Sequence, residues 1–518
     1  MLIGLRDSLI LGLCIVLHLT YRYRRRALLP LPPGPSRWPL VGNTFSIPLV
    51  HPHHFYKHLG ERLGSKMIYL EAMGQSILVI NDIEIAQELL GRRSALYSSR
   101  PHFRMITEVA DFNHIFALMP YGDDWRVRRR IFQQHFSERN LPRIQEREVE
   151  FVRKGLLPNI LTSPNEFHDH IRHCIGGLST SMTYGLPAKR RNDPLMHFAE
   201  KTFTTVNHAL APGNFFVNIF GPLKYLPSWM PGAGFKKVAK EIRERLTRLM
   251  DDPYQEALQR IDDGTAVMSF VSESLDRCRD QPDFELQAQY TKQTAVQVFG
   301  AFFETTVAVV MTFILTMLKN PEIQRRAQYE LDMVIGPDRL PEFSDIPQLP
   351  YLSAVIREVL RWNPIGPLGV PHRTSDEDVF MGYYIPKGCT VMANAYAMLH
   401  DEEVFSDPSE FKPERFLKNG VLRDDIPNPE TIATFGFGRR VCPGAHIALS
   451  TLYISAASIL CLFDIQPALD ANGKIIDVVP EFTASITSEP LSFKCKLTPR
   501  QGKDVEDLLR DYMGFETI

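Results

Sequence analysis

Phe435-Gly-Phe-Gly-Arg-Arg-Val-Cys-Pro-Gly444 decides the reading of this chain, because it sets Cys442 in a glycine-rich loop just before a helical run that starts at about Ala445. Gly438 and Gly444 permit backbone angles closed to other residues and let the chain pass close to a flat ligand, so that peptide N–H groups can point at the sulfur. Arg440 is spaced to reach an anionic group beside it. A helix N-terminus carries partial positive charge, which favours thiolate over thiol at Cys442, and Pro443 suits the helix entry. The plainer reading is a structural cysteine buried in a turn. It asks for none of these neighbours.

The pattern Phe-x-x-Gly-x-Arg-x-Cys-x-Gly resembles the haem-ligand signature of the cytochrome P-450 monooxygenases. Phe435, Gly438, Arg440, Cys442 and Gly444 fill all of its fixed positions, a coincidence expected by chance on the order of once in ten thousand chains of this length. The resemblance runs from about Pro30 to Arg500. It implies haem b with Cys442 as axial thiolate, and a mainly α fold with a minor β portion. The Thr305 and Cys442 regions look most like fungal microsomal enzymes of secondary metabolism.

Bulk composition agrees with a large globular chain. Of 518 residues, 44% are hydrophobic and 23% charged, and the formal charge is -2. No global field would recruit nucleic acid. The seven cysteines are odd in number and scattered, with no C-x-x-C pair. That argues against a disulfide scaffold or a zinc site. No N-x-[ST] acceptor occurs, and both absences suit a reducing, cytosol-facing compartment.

Ser8 to Tyr21 is mostly apolar and Arg22, Arg24, Arg25 and Arg26 follow at once, so residues 1–27 read as a single-pass anchor with a stop-transfer end. The stretch is short of the roughly 20 residues a span needs. A cleaved signal peptide is the competing reading, but the charges follow the apolar run and no small-x-small site is evident. The arginines predict a cytosolic catalytic domain and a lumenal N-terminus, and the resemblance implies the endoplasmic reticulum membrane. Residues 28–43 are proline-rich and read as a stiff hinge. Residues 44–500 form the catalytic domain, and 501–518 remain a C-terminal tail without assignment.

Within the domain, Ser65 to Asn81 reads as a β-hairpin around Gly74, and Asp378 to Asn394 as a second β-rich stretch. Helical periodicity marks 83–90, 125–136, 143–157, 235–250, 321–335 and 352–362. Thr294 to Leu318 is long and apolar enough to span a bilayer. Gln297, Glu304, Thr305 and Thr306 interrupt it, so a core helix of a soluble domain fits better.

Several constellations gain meaning from the resemblance. Glu358 and Arg361 lie one turn apart on a helix; Glu150 and Arg153 repeat that spacing on what reads as a solvated face. The resemblance places Arg415, in Phe411-Lys-Pro-Glu-Arg-Phe416, with Glu358 and Arg361 in a structural core triad behind the haem. It also assigns Trp125, Arg129, His372 and Arg440 to the haem propionates, where buried carboxylates need charged donors. Trp125 and Arg129 could otherwise form a surface cation–π pair. Glu304 and Thr305 resemble the acid-threonine pair that relays protons to bound dioxygen; alternatively the threonine bonds back to its own helix. Phe302 stands where the family pattern has a glycine, the residue that opens a groove for oxygen and water.

These readings predict a monooxygenase that inserts one atom of O2 into a hydrophobic small molecule. NADPH-cytochrome P-450 reductase, and cytochrome b5 as a further donor, are the implied partners. Arg126, Arg128, Arg130 and Arg439 are expected to form a local basic patch for an acidic partner. The expected pocket linings are 103–118, 210–229, 365–370 and 484–488, with Phe215, Phe216 and Trp229 dipping into the membrane. The alternatives are a haem-thiolate isomerase or dehydratase, which needs no acid-threonine pair, and a haem-binding sensor or carrier.

Overall fold

The computed structural model describes residues 29–211 and 213–518. The expected anchor, residues 1–27, lies outside them. The principal helices are α1 (Pro52–Leu63), α2 (Asp123–His135), α3 (Leu141–Phe151), α4 (Phe167–Tyr184), α5 (Pro194–Leu210), α6 (Phe235–Asp262), α7 (Phe284–Lys319), α8 (Pro321–Ile335), α9 (Pro350–Trp362) and α10 (Ala445–Leu462). The strands used below are β1 (Met67–Ala72), β2 (Gln75–Ile80), β3 (His372–Arg373), β4 (Asp378–Phe380), β5 (Tyr383–Ile385), β6 (Thr390–Ala393), β7 (Phe463–Pro467) and β8 (Cys495–Pro499). The protein is mainly helical with small sheets.

Helix α7 is the axis of the core. From Thr294 to Leu318 most of its side chains are buried, which a helix apolar all round requires. It and α10 are long and apolar enough to cross a membrane, but 72% and 78% of their apolar windows are buried inside the protein, so both act as core helices here. Helix α4 packs most extensively on α7. Ser179 Oγ donates to the Phe299 carbonyl at 2.9 Å, and Phe299 and Phe303 stack along that seam.

The β-hairpin forms as its sequence predicts: β1 and β2 pair antiparallel, Met67 opposite Ile80. Its two-residue turn puts Met73 and Gly74 at φ 46° and 78°, as a primed turn demands. Strand β6 adds parallel to β2, and β3 antiparallel to β6, giving the order β1-β2-β6-β3. This sheet carries His372, opposite Val391, to the edge of the central cavity.

Three local features depart from the simplest reading. The runs 83–90 and 143–157 are not continuous α-helix: residues Gln87–Arg92 and Val152–Leu156 widen into π-type turns, each containing a glycine, Gly91 and Gly155. Such turns gather near functional sites, and the first abuts the cysteine loop. The proline-rich stretch is docked from Pro30 onward, since Tyr69 and Tyr384 donate backbone N–H bonds to the Pro33 and Pro30 carbonyls, each at 2.8 Å. Residues 501–518 also fold back: Ala188 and Ile518 exchange two backbone hydrogen bonds of 3.0 Å, and Arg190 N–H reaches the Glu516 carbonyl.

Candidate active site

A cavity of about 360 Å³ lies between α7 and the loop that precedes α10. Of the described cysteines, only Cys442 lines it. The loop is closed by the Cys442 N–H, which donates to the Phe435 carbonyl at 2.7 Å, and by a 3-10 turn over Gly438–Arg440. Gly438 sits at φ 54°, and a Cβ there would meet the Leu90 carbonyl at 2.1 Å. Its glycine character is therefore fixed by the π-type turn packed behind it rather than by the cavity. Gly444 has an ordinary φ of -101°, and its nearest neighbour to a built Cβ is Phe132 at 3.9 Å. There the missing side chain leaves the cavity floor open. Cys442 is exposed only towards the cavity and otherwise enclosed by protein, so burial pushes its thiol up; a Gly444 N–H bond and the charge of Arg129 oppose that.

Four cationic or potentially cationic groups ring the same space: Arg100, Arg129, Arg440 and His372. Each is drawn towards its neutral form by burial first, and Arg440 is lowered to about 10. After burial, the charge of Arg440 opposes that of Arg100, Arg129 opposes that of Arg440, and Arg100 and Arg440 both oppose a charge on His372. No ion pair joins any of the three guanidinium groups to a carboxylate among the described residues, and no Asp or Glu lines the cavity. Their hydrogen bonds go to carbonyls: Arg129 to Val441 at 2.9 Å, Arg440 to Ser98, Phe116 and Met119, and Arg100 to Ala117, Val370 and Pro371. His372 Nδ1 bonds the Tyr97 carbonyl at 2.8 Å, which leaves Nε2 for the cavity. Trp125 is buried under Arg440, whose guanidinium carbon lies 4.6 Å from its ring centre. Buried like charges without counter-charge are costly. A ligand with two carboxylates on a flat apolar body, as haem b has, supplies the missing anions, and the residues present fit it.

The opposite wall is a stripe of α7: Gln297, Val298, Ala301, Phe302, Thr305, Thr306 and Val309. Thr305 opens to the cavity, and its hydroxyl donates to the Ala301 carbonyl at 2.7 Å. Glu304 does not line the cavity. It turns towards α5, where Asn207 Nδ2 donates to its carboxylate at 3.0 Å, and burial pushes it up to about 7. Acid and threonine are thus adjacent in sequence but face different surroundings.

The triad residues meet as an ion-paired cluster. Arg361 grips Glu358 with two bonds of 2.7 and 2.9 Å, and Arg415 Nε reaches it at 3.1 Å. Glu358 and Arg361 are fully buried. The expected basic patch loses a member: Arg128 is buried and donates to Gln293 and to the Asp124 carbonyl, while Arg126 pairs with Asp123 at 3.1 Å. Of the expected linings, 210–229 contributes nothing to the cavity. Phe216, Tyr225 and Trp229 are instead exposed on the surface. Arg100 was missed by sequence reasoning, because an arginine in Ser98-Ser-Arg-Pro carries no motif.

Thiolate candidate, cation cradle and hydroxyl-bearing helix together define a haem-thiolate site. The sequence matches the family model for Cytochrome P450 over residues 32–495. Cytochrome P450 monooxygenase ple1 of Rhodocybe pseudopiperita is 40% identical over 481 residues, 93% of this chain and 91% of that protein. Cytochrome P450 monooxygenase 98 of Postia placenta is 39% identical over 482 residues, 92% of each chain. Tryptamine 4-monooxygenase of Psilocybe cyanescens is 36% identical over 514 residues, 99% of this chain and all of that protein. The chain belongs to the cytochrome P450 family and is a monooxygenase using haem b held by a cysteine thiolate.

Proposed function

We propose that Cys442 is the axial ligand and that the protein oxidises a neutral, largely apolar small molecule bound between it and α7, in fungal secondary metabolism. The observation that carries this is a cysteine, the only cavity-facing one among the described residues, opposite an apolar helix wall and ringed by buried basic groups without a described carboxylate partner. When bound, haem b supplies dioxygen binding and electron donation through its thiolate. The chain's own residues do the rest. Trp125, Arg129, His372, Arg440 and Arg100 would hold the two propionates, and Phe435, Gly438 and Gly444 shape the loop that presents Cys442. Thr305 holds a hydroxyl over the site and exchanges its Ala301 bond for one to incoming solvent or oxygen. Glu304, with its acid raised to about 7, acts as proton reservoir once it leaves Asn207. Glu358, Arg361 and Arg415 fix the core behind the cofactor.

A relative's name records tryptamine as its substrate, but an ammonium group needs an anionic partner, and none lines this cavity. That favours a neutral substrate here. Electrons come from NADPH through a flavoprotein reductase, with cytochrome b5 as an accessory donor. Residues 1–27 anchor the protein in the endoplasmic reticulum membrane, and the exposed Phe216, Tyr225 and Trp229 rest on that surface. The test is Cys442→His: the reduced carbonyl complex of the parent shows the red-shifted Soret band of thiolate-bound haem, and the variant loses it. A variant that keeps the band with haem bound refutes the assignment. Incubating the parent with reductase, NADPH and O2 separates oxygenation from isomerase or carrier roles by product formed per NADPH.

A further inference from the structure

Along the cavity-facing stripe of α7, the polar groups differ in what they can still bond. Thr305 spends its hydroxyl proton on the Ala301 carbonyl at 2.7 Å. Thr306 is 1% exposed, and its buried hydroxyl has no hydrogen-bond partner among the described residues. Gln297, two turns earlier, is different. Its Oε1 accepts the Ala117 N–H at 3.4 Å, which ties the carboxamide to the loop facing α7. Its Nε2 makes no hydrogen bond among the described residues, and the residue borders the cavity. Among the described residues, Gln297 is the only carboxamide in the cavity wall. An amide whose oxygen is engaged by a backbone donor presents its N–H groups in a fixed direction.

Gln297 and Thr305 are eight residues apart, about 12 Å along the helix axis. Val298, Ala301 and Phe302 fill the interval with apolar surface. A ligand lying along this stripe meets a donor at one end, hydrocarbon in the middle and the hydroxyl of Thr305 at the other. The buried hydroxyls of Thr183, Thr306 and Thr434, also without partners, line the same cavity, but a carboxamide donor in a largely apolar wall still disfavours ligands that leave it unpaired and desolvated.

We infer that Gln297 is the substrate anchor: the substrate carries one neutral hydrogen-bond acceptor, a carbonyl, ether or hydroxyl oxygen, bound by Gln297 Nε2, and is oxidised at a carbon remote from it, near Thr305. This rests on the monooxygenase reading above and adds the class of substrate to it. The acceptor must already be present when the molecule arrives.

Two rigid probes of one shape serve as the test, phenylcyclohexane and 4-phenylcyclohexanone, titrated into the haem-loaded protein and followed by the spectral shift of the Soret band. Parent, Gln297→Met and Thr487→Val are compared, the last because Thr487 is another neutral polar group in the wall. Methionine keeps the length of glutamine and removes the donor. The preference for ketone over hydrocarbon, taken as the ratio of their Kd values, falls about 5-fold in Gln297→Met and stays within 2-fold in Thr487→Val. An unchanged ratio in Gln297→Met, a collapse confined to Thr487→Val, or no shift of the parent with either probe overturns the anchor. The reduced carbonyl spectrum of each protein is read first. A parent that lacks the thiolate-type band refutes the monooxygenase reading itself, a failure separate from that of the anchor.

Discussion

Glu148 is fully buried on α3 against α10, the helix that begins three residues after Cys442. Ser450 and Thr451 both donate to its Oε1, at 2.7 and 2.6 Å, and its Oε2 has no partner. Burial dominates and pushes the carboxyl up to about 8, with the two hydroxyl bonds opposing. The native protein therefore holds a neutral acid at pH 7, whereas the unfolded chain ionises near the ordinary glutamate value. Between those two values the native state binds more protons than the unfolded one, so stability falls as pH rises from about 4.5 to 8. At 1.36 kcal/mol per pKa unit, the loss between pH 5 and pH 8.5 comes to about 4 kcal/mol.

Glu148→Gln removes that titration while keeping the shape and an acceptor for Ser450 and Thr451. At pH 5 the variant is slightly less stable than the parent, because its amide adds an N–H donor beside the unpartnered position, at a cost of about 1 kcal/mol. At pH 8.5 the order reverses. Across the interval the difference between the two proteins moves by about 4 kcal/mol in favour of the variant. With an unfolding entropy of about 2.1 cal/mol/K per residue, that corresponds to roughly 4 °C in Tm for a chain of this length. The assay is thermal unfolding of the haem-loaded protein at the two pH values, followed by the Soret band and by far-UV circular dichroism. A Tm difference that does not change with pH refutes the reasoning and means that the carboxylate is ionised and solvated in the native state.

Thr305→Ala lowers product formed per NADPH several-fold with the cofactor spectrum intact, whereas Glu304→Gln flattens the pH dependence of coupling around pH 7, where burial has placed that acid; measured peroxide yields across pH 6 to 8.5 distinguish the two, and equal, pH-independent losses would assign both residues to packing. Glu358→Ala leaves Arg361 and Arg415 buried without their carboxylate, costs about 3 to 5 kcal/mol and reduces the yield of haem-loaded protein; a variant with parental Tm would show the triad to be dispensable. Phe302→Gly costs about 1 kcal/mol from glycine in a helix interior and a further 1 to 2 from the half-buried ring; it admits bulkier ligands and spills more reducing equivalents to peroxide, and unaltered ligand range and coupling would leave the ring a packing role only.

Much of the architecture was legible because its signals are local. The apolar run around Thr305, the hairpin around Gly74 and the helices at 321–335 and 352–362 each carry a period or a turn residue that says what they are. The cysteine loop was legible for the same reason, since ten consecutive residues hold its whole pattern. What escaped is set by contacts between distant segments. Whether Glu304 faces the cavity depends on Asn207, 97 residues away, and nothing around position 304 records that partner. Arg100 becomes a cavity residue because carbonyls at 370 and 371 receive it. Arg128 looks identical in sequence to its exposed neighbours Arg126 and Arg130, yet helical phase turns it inward onto Gln293. The positive φ of Gly438 agrees with the loop reading, but the Leu90 carbonyl that also excludes a side chain there belongs to a turn 348 residues earlier, which nothing near position 438 records.

The basic groups around the cavity link cofactor binding to folding. Arg100, Arg129, Arg440 and His372 come from separate parts of the chain: the segment after β2, helix α2, the cysteine loop and the edge of the sheet. Drawing them together costs desolvation and mutual repulsion that no protein carboxylate offsets. A dianionic ligand offsets it only when all four surround the same space, so its binding energy stabilises the assembled arrangement and not the separated parts. Removing any one of these groups should therefore weaken the fold of the loaded protein more than that of the empty one. A purely structural arginine would weaken both states equally, since its carbonyl bonds persist whether or not the cavity is filled.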